Sequence, residues 1–154
     1  MSEAARLPHA DWLQVVRNAP LVSIDLILLD PRGRVLLGLR ENQPARGCWF
    51  VPGGAIRKSE TLDSAFERIA RVELGNVLQR RDSELLGVYE HHYPTNFADE
   101  PGLATHYVVL AHRLPLQGEW QPADQQHREL RWFTVADLLA EPAVHDNVKA
   151  YFRP

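Results

Sequence analysis

Hydrophobic and polar positions along the chain follow two periods, and each period predicts a different kind of element. Dense runs of branched and aromatic side chains predict strands at 21–29, 35–39, 48–51, 85–93, 105–114 and 131–133. Apolar positions three and four residues apart predict a long helix between Thr61 and Gly75, with shorter helices at 11–17, 135–139 and 146–152. This alternation favours an α/β (α+β) fold with one mixed sheet sandwiched between helices.

Glycine and proline residues mark where the predicted elements end. Asp30-Pro31-Arg32-Gly33 predicts a hairpin turn between the first two strands, and Pro52-Gly53-Gly54 predicts a backbone-permissive turn before the long helix. Asp11 is a candidate N-cap for the first helix. No repeat, linker or low-complexity tract interrupts the pattern, so residues 1–154 are expected to form a single domain.

Composition places the chain among ordinary folded domains. Hydrophobic residues make up 45% and charged residues 24% of the 154 positions, which excludes collagen-like, coiled-coil and disordered chains. The 17 Lys and Arg residues against 20 Asp and Glu residues give a net charge of -3. This balance provides no general attraction for nucleic acid or an anionic membrane, so neither is expected as a partner.

The single cysteine and the N-terminal segment predict the cellular compartment of the protein. Cys48 has no partner for an internal disulfide, which is typical of a reduced protein. The first twenty residues carry charges and two prolines instead of the apolar run of a signal peptide. A cytoplasmic location is therefore expected.

The stretch that carries chemistry is 53–75, which reads GGAIRKSETLDSAFERIARVELG. Its acidic side chains are Glu60, Asp63, Glu67 and Glu73. Carboxylates on a helix that follows a glycine turn can bind a hard cation such as Mg2+, with backbone carbonyls as further oxygen ligands. On charge pattern alone, a solvated amphipathic helix is the commoner interpretation.

The spacing in this stretch changes that interpretation, because it resembles the Nudix box, G-x5-E-x7-R-E-U-x-E-E-x-G-U with U an aliphatic residue. Within 54–75, five residues occupy its fixed positions: Gly54, Glu60, Arg68, Glu73 and Gly75. The resemblance implies the Nudix fold and a hydrolase activity.

Three positions depart from the box. Ile69 and Val72 replace two of the usual acidic residues, and Asn76 replaces the final aliphatic one. Positions 69, 72 and 73 share one helix face, so only Glu73 can ligate a metal there. We therefore expect one ion in a site that normally gathers several.

These departures and the surrounding sequence resemble the GDP-mannose mannosyl hydrolase branch of the Nudix family. The matching runs span nearly the whole chain and include GLRENQPARGCWFVPGG, GVYEHHYPTNF and HDNVKAYF. The resemblance implies Mg2+, for which Mn2+ can substitute, bound by the Gly53 carbonyl, the Glu73 carboxylate and the Gln126 side-chain oxygen. All three are oxygen ligands, which Mg2+ prefers. A GDP-sugar substrate and a homodimer are implied as well.

The same resemblance implies roles for further side chains. His127 matches the general base that takes a proton from the attacking water, although a histidine in such a polar loop is by itself more often only solvated. Arg40 matches an arginine that pairs with phosphate oxygens, and Tyr107 can donate a hydrogen bond nearby. His91 lies in a run that matches the substrate loop and is expected to contact the sugar or the diphosphate.

For Asp25 and for Trp12, two interpretations are open. Asp25 matches a carboxylate near the sugar, but a polar residue in so apolar a strand is equally a structural partner for arginine or backbone groups. Trp12 matches an aromatic residue near the substrate, where its face suits stacking on a purine. Core packing against Val15 and Val16 is almost as well favoured for Trp12.

Three hypotheses for function follow. The first is Mg2+-dependent hydrolysis of GDP-mannose, with GDP-glucose as a second candidate substrate, to GDP and free sugar by attack of water at the anomeric carbon with inversion. The second is pyrophosphohydrolysis at phosphorus of a nucleoside-diphosphate-linked compound, which the missing acids at 69 and 72 disfavour. The third is a non-catalytic nucleotide-sugar-binding protein, favoured by Ala55, which stands where the family usually has an arginine. Retention of Glu73, Gln126 and His127 disfavours it.

Overall fold

The computed structural model describes residues 4–124 and 128–153. The helices are α1 (His9–Asn18), α2 (Leu62–Leu74), α3 (Val135–Ala140) and α4 (Asp146–Lys149), and short 3-10 turns lie at Arg80–Asp82 and Ala150–Phe152. The strands are β1 (Leu21–Leu29), β2 (Val35–Leu39), β3 (Trp49–Phe50), β4 (Gly53–Ala55), β5 (Glu84–Tyr93), β6 (Thr105–Pro115) and β7 (Leu130–Phe133). Within the described ranges, no helix has the length and apolar character needed to cross a membrane.

One mixed sheet has the strand order β3-β2-β1-β6-β5, with β4 also paired to β1 and β7 also paired to β2. Strands β1 and β6 are parallel from Leu21↔Tyr107 to Leu29↔Pro115. Because β1 lies inside the sheet and both its faces are covered, its sequence is apolar almost throughout. The prediction of a mixed sheet between helices is confirmed.

Helix α2 forms where the sequence predicts it and covers one face of the sheet. Thr61 caps it reciprocally with Ser64, and Gly75 ends it in the left-handed conformation with a φ of 74°. The buried side chains of α2 pack against the alternate residues of β1 that point to this face. These are Ala65, Phe66, Ile69, Ala70 and Leu74 on the helix, and Ile24, Leu26 and Leu28 on the strand.

The opposite face of the sheet carries the C-terminal elements. Ile27 of β1 packs there in one cluster with Leu138 of α3, Val148 of α4 and Tyr151 of the C-terminal turn. Asp25 lies two residues before Ile27, so its side chain points to this same face. A buried carboxylate is thereby placed under the C-terminal turn.

The predicted turn at Pro52-Gly53-Gly54 is wrong, because Gly53 and Gly54 belong to β4 and pair with Asp25 and Ile24 of β1. Glycine is needed there for close approach. A Cβ added at Gly53 would lie 2.4 Å from Asp25 Oδ1 and 2.8 Å from the Ile24 carbonyl oxygen. The glycine pair therefore lets β4 lie directly against the carboxylate of Asp25.

Helix α1 and the third strand also differ from the prediction. Helix α1 begins at His9, behind Pro8, so Asp11 lies in its first turn and is not the N-cap. The third strand is limited to Trp49–Phe50, because the Cys48 amide is bonded to the Ala45 carbonyl in the preceding loop. Neither difference moves a predicted site residue to another element.

Candidate active site

A cleft opens on the face that carries the C-terminal turn, where β1, β3, β4, β5 and β6 meet. Five residues predicted from the sequence line it: Asp25, Arg40, Gly53, His91 and Tyr107. Gln126 and His127 lie outside the described residues, so their predicted roles as metal ligand and general base stay predictions. The cleft also contains Arg128, a residue that the sequence analysis did not single out.

Trp12 is not among the residues that line this cleft. It is partly buried beside the cluster of Val16, Leu21 and Leu103, and its ring centroid lies 6.4 Å from that of Phe97. These contacts match the core-packing interpretation. Stacking of Trp12 on a base stays a prediction.

Asp25 is buried at the bottom of the cleft, and its Oδ2 accepts a hydrogen bond of 2.5 Å from the Tyr151 hydroxyl. Burial raises the pKa of Asp25 to about 7, against the lowering effects of the Tyr151 hydrogen bond and the positive charge of Arg40. The hydrogen-bond partner of Asp25 is thus a tyrosine and not the arginine or backbone group expected of a structural carboxylate, and Asp25 also lines the cleft, so its role near the sugar stays a prediction. A pKa of about 7 lets this carboxyl exist in either protonation state near neutral pH.

Tyr151 is a site residue that the sequence analysis missed. It comes from the C-terminal turn, and its hydroxyl oxygen also lies 3.4 Å from His91 Nε2. Nothing in the local pattern of 146–152 marks this tyrosine as different from a core residue, since its ring is buried in the apolar cluster. Only the pairing with Asp25, 126 positions away in sequence, places it in the site.

His91 is buried and uncharged at neutral pH. Burial, together with the positive charges of His145 and His92, lowers the pKa of His91 to about 4. Its ring contacts the Phe50 ring edge-on, with 6.0 Å between centroids. His91 can therefore offer a neutral hydrogen-bonding group to a ligand, but it does not supply a cation.

Arg40 supplies positive charge to the cleft from the end of β2. Its Nε donates a 2.7 Å hydrogen bond to the Pro44 carbonyl, and its guanidinium carbon lies 6.0 Å from the centroid of the Phe50 ring. The pKa of Tyr107, across the cleft, is raised by burial, so its hydroxyl stays protonated and can donate. A fixed guanidinium and a phenol donor are groups that can bind phosphate oxygens.

Glu60 and Arg68 of the box form a buried structural pair. Arg68 Nε donates to Glu60 Oε2 at 2.6 Å, and Arg68 Nη2 also donates to the Ala55 carbonyl at 2.8 Å. The Glu60 side chain also accepts a hydrogen bond of 2.6 Å from the Arg57 amide. Hydrogen bonds from Arg68 hold the pKa of Glu60 below its usual value despite burial. This pair fastens the loop after β4 to α2.

Glu73 of α2 does not line the cleft itself, but its carboxylate is paired with Arg128, which does. Burial raises the pKa of Glu73, and the nearby Arg128 and Arg40 oppose that effect. An Arg128 Nη2 contacts Glu73 Oε2 as an ion pair. This oxygen is buried and accepts no hydrogen bond of good geometry from the described residues. A buried carboxylate oxygen is a ligand type that a hard divalent cation prefers.

The Gly53 carbonyl is free of the sheet ladder. The Leu26 amide bonds to the Pro52 carbonyl and the Ile56 amide to the Val22 carbonyl, each at 2.8 Å. In an antiparallel pair with this register, Asp25 and Gly53 form a non-hydrogen-bonded pair, so the Gly53 carbonyl points away from β1. The Gly53 carbonyl oxygen and the Glu73 carboxylate are both of the ligand type that a hard divalent cation prefers.

Few side chains that could bind a metal ion lie together among the described residues. Among residues 4–124 and 128–153, no group of three or more His, Cys, Asp or Glu side chains is placed to hold a metal ion. The box positions that would add carboxylates are Ile69, which is buried in the core beneath Gly54, and Val72, which is exposed. The expected number of ions stays a prediction.

Comparison with known proteins decides the family. The NUDIX domain matches residues 19–153 of this chain. The chain belongs to the Nudix family. The fold and the hydrolase class expected from the box are thereby confirmed.

The relatives of this Nudix protein carry different functional descriptions. The low-salt glycan biosynthesis protein Agl8 of Haloferax volcanii is 43% identical over 129 residues, which cover 83% of this chain and 80% of that protein. The ADP-ribose pyrophosphatase of Methanocaldococcus jannaschii is 37% identical over 135 residues, covering 87% of this chain and 74% of that protein. Among solved structures, the MutT NUDIX hydrolase of Burkholderia pseudomallei matches with a TM-score of 0.66 and 27% identity, over 87% of this chain and 96% of that one.

Proposed function

We propose that this Nudix hydrolase cleaves GDP-mannose, with GDP-glucose as a second substrate, to GDP and free sugar by attack of water at the anomeric carbon with inversion. The observation that carries the proposal is the composition of the cleft. It combines a buried carboxylate on the sheet, Asp25, with Arg128, whose guanidinium is paired with one carboxylate of α2, Glu73. The similarity to a glycan biosynthesis protein supports a nucleotide sugar as the substrate class.

Cleavage at the anomeric carbon develops positive charge on the sugar and negative charge on the departing diphosphate. Arg40 and Tyr107 are proposed to bind the diphosphate oxygens, and their position in the lining of the cleft supports this role. Asp25 is proposed to stabilise the sugar-ring charge, and its hydrogen bond from Tyr151 would fix the orientation of the carboxyl group. His91 contributes a neutral hydrogen-bonding group to the sugar or the diphosphate.

Glu73, the Gly53 carbonyl and Gln126 are proposed as the ligands of one Mg2+ or Mn2+ ion, which neutralises diphosphate charge when bound. His127 is proposed as the general base for the attacking water. Stacking of Trp12 on the guanine, a homodimeric assembly and a cytoplasmic location complete the proposal, and they rest on the sequence resemblance.

Attack at phosphorus is the second candidate. The 37% identity to a protein described as an ADP-ribose pyrophosphatase favours it. In that case the products would be two monophosphates, and the sugar would keep its phosphate. Both reactions use the same cleft and differ in the atom that water attacks.

The experiment is hydrolysis in 18O-labelled water with Mg2+, using GDP-mannose and ADP-ribose as parallel substrates and mass spectrometry of the products. Label in free mannose, with unlabelled GDP, is the expected result. Label in GMP or mannose 1-phosphate would refute attack at carbon, and faster turnover of ADP-ribose would assign the second function. Absence of turnover for both compounds would leave the non-catalytic binding hypothesis.

The role of His127 is tested in the same assay. His127→Gln should lower kcat by roughly a hundredfold or more with little change in KM, because a general base acts only in the transition state. His92→Gln is a matched control, since His92 is exposed on β5 and does not line the cleft. An unchanged kcat in His127→Gln would remove it as the base.

A further inference from the structure

Arg128, which lines the cleft, contacts two elements, β2 and α2. Its side chain passes over β2, where a Cβ added at Gly38 would lie 3.0 Å from Arg128 Cδ, and its guanidinium ends at Glu73 on α2. Gly38 therefore leaves the space through which the arginine reaches the carboxylate. About a third of the Arg128 side chain, 32%, remains exposed, whereas 15% of Glu73 is exposed.

We propose that Arg128 exchanges partners when the site fills: it neutralises Glu73 in the metal-free protein and binds the diphosphate of the ligand once a divalent cation holds Glu73. This inference rests on the proposed function only in requiring a ligand with a diphosphate group. It assigns Arg128 as a residue that couples binding of the metal to binding of the ligand.

The exchange follows from the charges around Glu73. A guanidinium and a divalent cation are both positive, so they repel each other and compete for one carboxylate. Among the described residues, no donor makes a hydrogen bond of good geometry to the Glu73 oxygen that faces Arg128, so this ion pair lacks the aligned donors that strengthen arginine–carboxylate contacts. A cation that binds Glu73 would therefore displace Arg128 at a small cost in directed hydrogen bonding.

A diphosphate bound in the same cleft would be the new partner of the displaced Arg128 guanidinium. Arg40 is fixed by its bond to the Pro44 carbonyl, whereas Arg128 is held at Glu73. Ala55 also lines the cleft and presents no charge. Among the described residues that line the cleft, the guanidinium groups are those of Arg40 and Arg128, so a diphosphate in this space would gain a second guanidinium contact when Arg128 turns towards it.

The test measures metal and ligand binding without turnover. Free Mn2+ is counted by electron paramagnetic resonance, and binding of GDP is measured by calorimetry, for the wild-type protein and for Arg128→Gln. Without nucleotide, Arg128→Gln should bind Mn2+ roughly fivefold or more tightly, because the competing charge is gone. With Mn2+ saturating, the same variant should bind GDP about tenfold more weakly, because a charge-assisted contact is lost.

Opposite changes in the two affinities distinguish this exchange from a structural role, which would weaken both. Arg128→Lys keeps the positive charge and should return Mn2+ affinity close to that of the wild type, so it tests the charge even if Arg128→Gln folds poorly. Arg113→Gln removes the same charge from an exposed position on β6 and should change neither affinity. Unchanged or weaker Mn2+ binding by Arg128→Gln, or unchanged GDP binding, would overturn the inference. A wild-type protein that fails to hydrolyse GDP-mannose would refute the proposed function and leave these binding results intact.

Discussion

Replacing Asp25 with asparagine should stabilise the metal-free protein at neutral pH while lowering its activity. The carboxyl group is buried, and burial raises its pKa from 3.8 to about 7. In the unfolded chain, Asp25 loses its proton near its ordinary pKa, whereas the folded protein retains the proton to higher pH. Folding therefore becomes less favourable as pH rises between about 4 and about 7, because the folded state binds the additional proton.

The size of the effect follows from the pKa shift. A difference of about three pKa units, at about 1.4 kcal/mol each, corresponds to a penalty of about 4 kcal/mol that is fully developed above pH 7. Asparagine carries no proton that titrates, and its side-chain oxygen still accepts from the Tyr151 hydroxyl. Asp25→Asn should therefore match the wild type near pH 4 and exceed its free energy of unfolding by up to about 4 kcal/mol at pH 8.

The assay is urea denaturation at a series of pH values from 4 to 8, with EDTA present. The difference between the two proteins isolates Asp25, because other titrating groups are common to both. Asp99→Asn controls for the loss of one negative charge at an exposed position. Equal pH dependence of wild type and Asp25→Asn, or a lower stability of the variant at pH 8, would refute the account of a buried, ionised Asp25. Under the proposed function, turnover of the stabilised variant should fall.

Two further substitutions test the framework of the cleft. Gly53→Ala places a Cβ 2.4 Å from Asp25 Oδ1 and should cost about 1–3 kcal/mol of stability, measured by denaturation, with loss of Mn2+ binding. Gly87→Ala, whose Cβ would make an ordinary 3.4 Å contact, is the control, and equal effects of the two changes would contradict the close-approach argument. Glu60→Gln breaks the buried charge pair with Arg68, whose side chains are 4% and 8% exposed, and should destabilise the protein by about 3–5 kcal/mol. A loss below about 1 kcal/mol in the same measurement would show that the pair behaves as a surface ion pair.

The glycine pair shows where sequence reasoning about local structure reached its limit. Consecutive glycines predict a turn because glycine tolerates unusual backbone angles, yet Gly53 and Gly54 lie in a strand. The reason is steric: Asp25 and the Ile24 carbonyl approach where a Cβ would be. Glycine is needed both where a distant strand comes too close for a Cβ and where the backbone adopts unusual angles. The sequence shows the same residue in both cases and does not distinguish them.

The box residues were predictable for the opposite reason. Glu60, Arg68, Glu73 and Gly75 act within one loop and one helix, so their spacing along the chain already encodes their spacing in three dimensions. The apolar periods likewise determined the main strands and α2, because an element that faces a core must repeat its apolar positions at its own period. The absence of acids at 69 and 72 also shows in the sequence alone, and it indicates a reduced metal site.

Only the tertiary structure decided the state of the side chains inside the cleft. The raised pKa of Asp25, the lowered pKa of His91 and the contact with Tyr151 all depend on burial by elements far apart in the chain. The pairing of Arg128 with Glu73 is of the same kind. The sequence therefore determined which chemical groups this protein has and how they are spaced along its loop and helix. Long-range packing determined their charges and partners, because desolvation and contact act through space and not along the chain.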